Sequence, residues 1–222
     1  MAQNPATARQ NELESSPPRK RVRRTASQAA ELRNQLIEAA RELFVDEGYA
    51  GVSIRKITQR AGCPPMTFYL HFASKHALLR HIWQDIFADL LSRCDAAAAA
   101  QSDPVAKVEA YVETMTRYWR DHPDSYRVVH LNQDVLEPGE DTYFVDTGDL
   151  LTRFQALERL IENGKEVGRF RSDVDSELIM QALSANSLGV AHALVTVPEY
   201  PWRRDELLST GTRLILAAIT IN

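Results

Sequence analysis

The sequence predicts an all-α fold of about nine helices, on three observations. Apolar residues recur at three- and four-residue intervals along nearly the whole chain, the period of one helix face. No segment alternates convincingly between apolar and polar residues, so no strand is expected. Serine, aspartate and proline stand where helices should open, and glycine where they should close.

The elements follow in order. Residues 1–18 carry Ser15, Ser16, Pro17 and Pro18 with few bulky apolar groups, and read as disordered. Arg19, Lys20, Arg21, Arg23 and Arg24 then put five cations into six residues. Such a run repels itself and stays extended until it meets an anion. A first helix is predicted over 27–47, with Leu32, Leu36, Ala39, Ala40, Leu43 and Phe44 as its apolar stripe. Thr25 and Gln28 fit a capping box at its start, and Gly48 fits its end. Ser53 caps a short helix over 54–60. Ala61-Gly62-Cys63 makes a turn, and Pro64 and Pro65 open a third short helix carrying Met66 to Leu70. Ser74 caps a fourth helix that runs on through Leu90. Asp103-Pro104 opens a fifth, to about residue 120, and a sixth spans 123–135. The acidic stretch 137–149, with Pro138, Gly139 and Gly148, reads as a loop. Helices over 150–167, 174–197 and 202–221 complete the chain, and no internal repeat is visible.

Charge divides the chain in two. Residues 19–80 hold twelve Lys/Arg against five Asp/Glu, whereas residues 81–222 hold thirteen against twenty-three. The overall formal charge of −4 hides a basic end on an acidic body, the pattern of a chain that meets a polyanion at one end only. Two cysteines, Cys63 and Cys94, make neither a disulfide framework nor a metal cluster, and a reducing cytoplasm is the expected compartment. Neither a signal peptide nor a membrane span is expected.

Two short helices joined by a glycine-containing turn form a helix-turn-helix unit, whose second helix fits the DNA major groove. Short helices do not hold themselves. Ile54, Ile57, Ala61, Phe68 and Phe72 are therefore expected to pack on Leu36, Leu43 and Phe44 of the first helix.

The residues over this region carry a specific resemblance. Glu42-Leu43-Phe44-Val45-Asp46-Glu47-Gly48-Tyr49, Val52-Ser53-Ile54-Arg55-Lys56-Ile57, Arg60-Ala61-Gly62-Cys63, Thr67-Phe68-Tyr69-Leu70-His71-Phe72 and Ser74-Lys75-His76-Ala77-Leu78-Leu79 follow one another almost without a gap. Together they resemble the DNA-binding domain of the TetR (tetracycline-repressor-like) family of transcriptional regulators. Thr58 departs from the alanine usual there, and Pro64-Pro65-Met66 replaces the usual small, polar start of the recognition helix. Weaker likeness continues in His122-Pro123-Asp124-Ser125-Tyr126-Arg127 and in Val167-Gly168-Arg169-Phe170-Arg171-Ser172-Asp173-Val174-Asp175.

The resemblance implies a basic arm over 1–24, a helix-turn-helix domain over 25–73 and an effector-binding and dimerisation domain over 74–222. It implies a homodimer on a pseudo-palindromic double-stranded operator, released by a small-molecule effector. By resemblance the last two helices form the dimer interface. Their own residues agree: Leu183, Leu188, Val190, Ala191, Leu194 and Val195, then Leu207, Leu208, Leu214, Ile215, Ala218 and Ile219, leave few polar faces, so both helices need covering on two sides.

Candidate DNA contacts are Ser53, Arg55, Pro65, Thr67, Tyr69, His71 and Lys75. Thr67 and Tyr69 are the base-edge or phosphate candidates, with Tyr69 alternatively a packing residue. Ser53 and Arg55 touch phosphate from the second helix, Ser53 also as a cap. His71 and Lys75 are backbone contacts by resemblance. The arm either enters an adjacent groove or raises nonspecific affinity as a flexible tail.

Candidate effector contacts are Tyr111, Met115 and Tyr118, on one face of the fifth helix, with His130, Phe154 and Asn186 from other helices. Such a set suits a partly apolar ligand with one or two hydrogen-bonding handles. An aromatic stripe is more often core than ligand site, and Asn186 has the alternative of bonding across a dimer. No cofactor, metal site or catalytic group is expected. His81 and Asp85 lie at i, i+4 with no third partner at ligand spacing, and read as a surface ion pair.

Overall fold

The computed structural model describes residues 26–131 and 155–221. Phe154, Thr25 and the basic run 19–24 lie outside the described residues, as do 132–154. Among the described residues there are nine α-helices and no strand: α1 (Ala26–Gly51), α2 (Ile54–Arg60), α3 (Pro65–Phe68), α4 (Lys75–Ala99), α5 (Pro104–Asp121), α6 (Pro123–Tyr126), α7 (Ala156–Glu166), α8 (Ser176–Thr196) and α9 (Arg204–Ile219).

The predicted caps form. Ser53 Oγ accepts from the Lys56 amide (3.2 Å), Ser74 Oγ from Ala77 (3.0 Å) and Asp103 Oδ2 from Ala106 (3.1 Å), each satisfying an amide that the first helical turn leaves without a partner. Gly48 breaks α1 at φ 70°, ψ 166°, a backbone region open to glycine, and the chain turns there toward α2. The sixth helix differs from its prediction. After one α-turn it continues as a π-helix over Arg127–Leu131, an i→i+5 winding that has no sequence period of its own.

α1, α2 and α3 pack together as expected: Leu36, Leu43, Phe44, Ile57, Phe68 and Phe72 are buried in one cluster, with Ile54 and Ala61 against its edge. Thr58 fits this interior by donating its hydroxyl to the Arg55 carbonyl (3.1 Å). α4 leaves this unit and runs along α5. α5 is the central strut, buried through Val108, Tyr111, Val112 and Trp119 and packed by α4, α7, α8 and α9. Inside it, Thr116 donates its hydroxyl to the Val112 carbonyl (2.8 Å) and accepts from the Ser187 hydroxyl of α8 (2.9 Å), so this buried polar pair is satisfied. The chain end is pinned, with Arg171 donating to Ile219 O (2.8 Å) and Ile221 to Arg169 O (2.9 Å).

By length and composition alone, α8 is apolar enough to cross a membrane. In this fold its packed faces meet α5, α7 and α9.

Candidate functional site

The helix-turn-helix sorts its residues sharply. Phe68 is fully buried and makes edge contact with Tyr69 (centroids 5.6 Å), while Tyr69 itself is 54% exposed. Met66 and Leu70, expected only as helix residues, are 76% and 81% exposed. Pro65 opens α3 and is exposed, whereas Thr67 and His71 are half-buried. α3 spans a single turn, so Tyr69 and Leu70 stand just beyond its end, where the Leu70 amide donates to Thr67 O (3.2 Å).

The cations of this unit are mostly committed internally. Lys56 pairs with Glu47, and Arg60 with Glu42 (2.6 Å). Arg55 is exposed and has no ion pair among the described residues. Lys75, expected at the DNA backbone, is occupied otherwise. Its Nζ donates to the carbonyls of Tyr49 and Val52 (2.7 Å each) and lies 3.9 Å from the centre of the Tyr49 ring. It therefore ties the start of α4 to the α1–α2 turn, a structural task that sequence spacing did not reveal.

The effector candidates do not converge on one point. Tyr111 and Tyr118 are buried and Met115 half-buried along α5. Tyr118 turns toward α4: its hydroxyl reaches Ile86 O (3.4 Å) and its ring stacks on His122 (4.3 Å). Burial, reinforced by Asp89, pushes its phenol up to about 12. His130 instead joins Trp119 (4.9 Å) and Tyr126 (4.7 Å), and Trp119 packs on Phe87 (6.0 Å). Trp119, the centre of this ring cluster, stands four residues after Met115 on the same helical stripe but was not singled out by the sequence. Burial lowers the His130 pKa to about 4, so the imidazole is neutral, and its buried Nε2 has no hydrogen-bond partner among the described residues. Asn186 lies apart, against Gly211 of α9. A Cβ added there would come within 2.0 Å of its Oδ1, and its buried Nδ2 has no partner among the described residues.

His81 and Asp85 come together as expected, with Nε2 3.3 Å from Asp85 Oδ2. Arg33 also donates to that Nε2 (3.0 Å), and burial, which outweighs Asp85, lowers the pKa of the ring.

Comparison with known proteins bears on both halves of the chain. Residues 36–82, the helix-turn-helix with its flanking helices, match the model for "Bacterial regulatory proteins, tetR family". The HTH-type transcriptional repressor KstR2 of Rhodococcus jostii (strain RHA1) is 30% identical over 153 residues, covering 68% of this chain and 74% of that one. The HTH-type transcriptional repressor DhaR of Mycobacterium sp. (strain GP1) is 29% identical over 168 residues, 71% of this chain and 79% of that one. In fold, the transcriptional regulator FadR from Bacillus subtilis, solved in complex with stearoyl-CoA, superposes with a TM-score of 0.70 at 16% identity, over 84% of this chain and 98% of that one. Buried helix-turn-helix core, exposed recognition residues, helical C-terminal bundle and a relative alike over most of its length all agree: the chain belongs to the tetR family of DNA-binding transcriptional regulators.

Proposed function

We propose that this regulator is a repressor that binds a pseudo-palindromic operator as a homodimer and leaves it when a partly apolar small molecule enters the C-terminal bundle. The observation that carries the reading is the division within the helix-turn-helix. Its core rings are buried, while Pro65, Tyr69 and Arg55 remain exposed on the unit that meets DNA. Ser53, Thr67 and His71 flank that surface and are the remaining contacts we assign to bases or phosphates. The repressor sense is supported by the names of the relatives KstR2 and DhaR. The DNA-binding part ends at about residue 73 and the effector part begins with the cap of α4; the site of action is the cytoplasm, where the DNA is.

The dimer reading is supported by Leu178 of α8 and Leu214 of α9, large apolar side chains exposed on the single protomer. Covering them with the same face of a second copy makes a two-fold pair that presents two equal recognition helices. The effector reading is supported by the Trp119–Tyr126–His130 cluster with its unpartnered Nε2, an apolar body beside one polar handle. Of the other candidates on α5, Tyr118 packs edge-on against Trp119 (5.3 Å). Asn186 fits the α8–α9 crossing better than the ligand. α4 is the lever: it starts at Lys75 beside the recognition unit and packs along α5, so a ligand that shifts its far end changes the spacing of the two recognition helices.

The test is genome-wide binding of the purified chain, with and without candidate metabolites. Discrete sites that share an inverted repeat and empty on addition of one metabolite are expected. Binding without site preference would reject the regulator reading, and sites filled only when the metabolite is present would reverse the sense of the switch.

A further inference from the structure

The recognition element has an unusual chemical make-up. From Ala61 to Ser74 there is no Arg, Lys, Asn, Gln, Asp or Glu. Arginine, lysine, asparagine and glutamine are the side chains that read guanine or adenine through paired hydrogen bonds in the major groove. In their place the element exposes two long aliphatic side chains, Met66 at 76% and Leu70 at 81%, on either side of Tyr69. Neither contributes to the protomer's core, which Phe68 and Phe72 already supply. The polar groups near them are the Thr67 and Tyr69 hydroxyls and the His71 ring, and the exposed Arg55 lies on α2.

Base edges carry one apolar feature in the major groove, the thymine 5-methyl group. We infer that Met66 and Leu70 determine operator specificity by packing on thymine methyls, so that each half-site is read through apolar contact at A·T pairs rather than through hydrogen bonds to guanine. This rests on the DNA-binding reading above and adds to it the base chemistry and the two residues that sense it. Desolvating a methyl against methionine or leucine is favourable in proportion to the apolar area covered, and a guanine or cytosine at the same step offers no methyl to cover.

Deoxyuridine isolates this contact, because it pairs like thymidine and lacks only the methyl. The full chain is used to enrich duplexes from a pool with a randomised core, and the enriched duplex is resynthesised with deoxyuridine replacing thymidine one position at a time. At one or two positions in each half-site the wild-type chain should lose affinity roughly three- to fivefold per methyl removed. The M66A/L70A variant should bind more weakly and show no deoxyuridine penalty at those positions. A wild-type chain indifferent to every deoxyuridine would overturn the inference, as would a variant that keeps the full penalty. Failure to enrich any duplex would overturn the DNA-binding reading itself, and this inference with it.

Discussion

The indole Nε1 of Trp83 donates to the carbonyl of Val128 over 3.1 Å, and this bond ties α4 to the π-helix that carries His130. The π-helix also packs against α1. The ring cluster assigned to the effector thus touches, through one segment, both the lever and the base of the DNA-binding unit. Single-turn π segments within α-helices are frequent at functional sites.

Trp83→Phe keeps most of the ring and removes the donor. It leaves the Val128 carbonyl short of one partner, for an expected loss of about 1–3 kcal/mol in chemical unfolding. Operator affinity without effector should stay unchanged, while the effector concentration needed for release rises. An unaltered release curve would mean that coupling runs elsewhere.

Tyr69→Ala removes an exposed ring and should leave the melting temperature alone while weakening specific DNA binding by roughly 1–3 kcal/mol. Arg55→Ala should weaken all sequences alike and reduce the salt-dependence slope by about one unit. Anisotropy titrations at several salt concentrations separate the two. Full affinity in both folded variants would remove Tyr69 and Arg55 from the interface.

Lys75→Met tests the structural role of this lysine. The substitution keeps an unbranched apolar chain but strips the Tyr49 and Val52 carbonyls of their ammonium donor. The DNA-binding unit should lose stability by about 1–3 kcal/mol, read as a lowered thermal midpoint, whether or not DNA is present. A variant of unchanged stability with a reduced salt slope would return Lys75 to the phosphate backbone.

How far the sequence was legible depends on distance along the chain. Helix starts were readable because Ser53, Ser74 and Asp103 bond amides three residues away. The helix-turn-helix core was readable because its residues repeat at helical spacing. The intramolecular bonds of Lys75 were not legible because its partners sit 26 and 23 residues earlier, in a turn that only the fold brings near. Met66 and Leu70 looked like ordinary apolar helix positions, and the fold leaves both exposed because Phe68 and Phe72 fill the core instead. Asn186 drew attention as a polar residue in an apolar helix. Its neighbour proved to be Gly211 on the next helix, a contact no periodicity announces.

His130 makes stability depend on pH. Its folded pKa is lowered to about 4 from an ordinary value of 6.5, so the unfolded chain binds the proton more readily. Stability is therefore lost as pH falls through 6.5 toward about 4, with a contribution of up to a few kcal/mol at the acid end. His130→Phe removes the titrating group while keeping an aromatic ring in the cluster. Thermal melts of both proteins at pH 7 and pH 5 should show a smaller acid loss for the variant. Equal losses would mean that His130 is solvated in the folded protein.

The central claim, sequence-specific DNA binding by this chain, is tested most directly by a competition measurement. The duplex enriched from a randomised pool is labelled and bound at physiological salt, then displaced either by itself unlabelled or by a scrambled duplex of the same composition. The expected result is a preference of about a thousandfold or more for the enriched duplex, the lower bound of specific over nonspecific recognition. Equal displacement by the two competitors would contradict it.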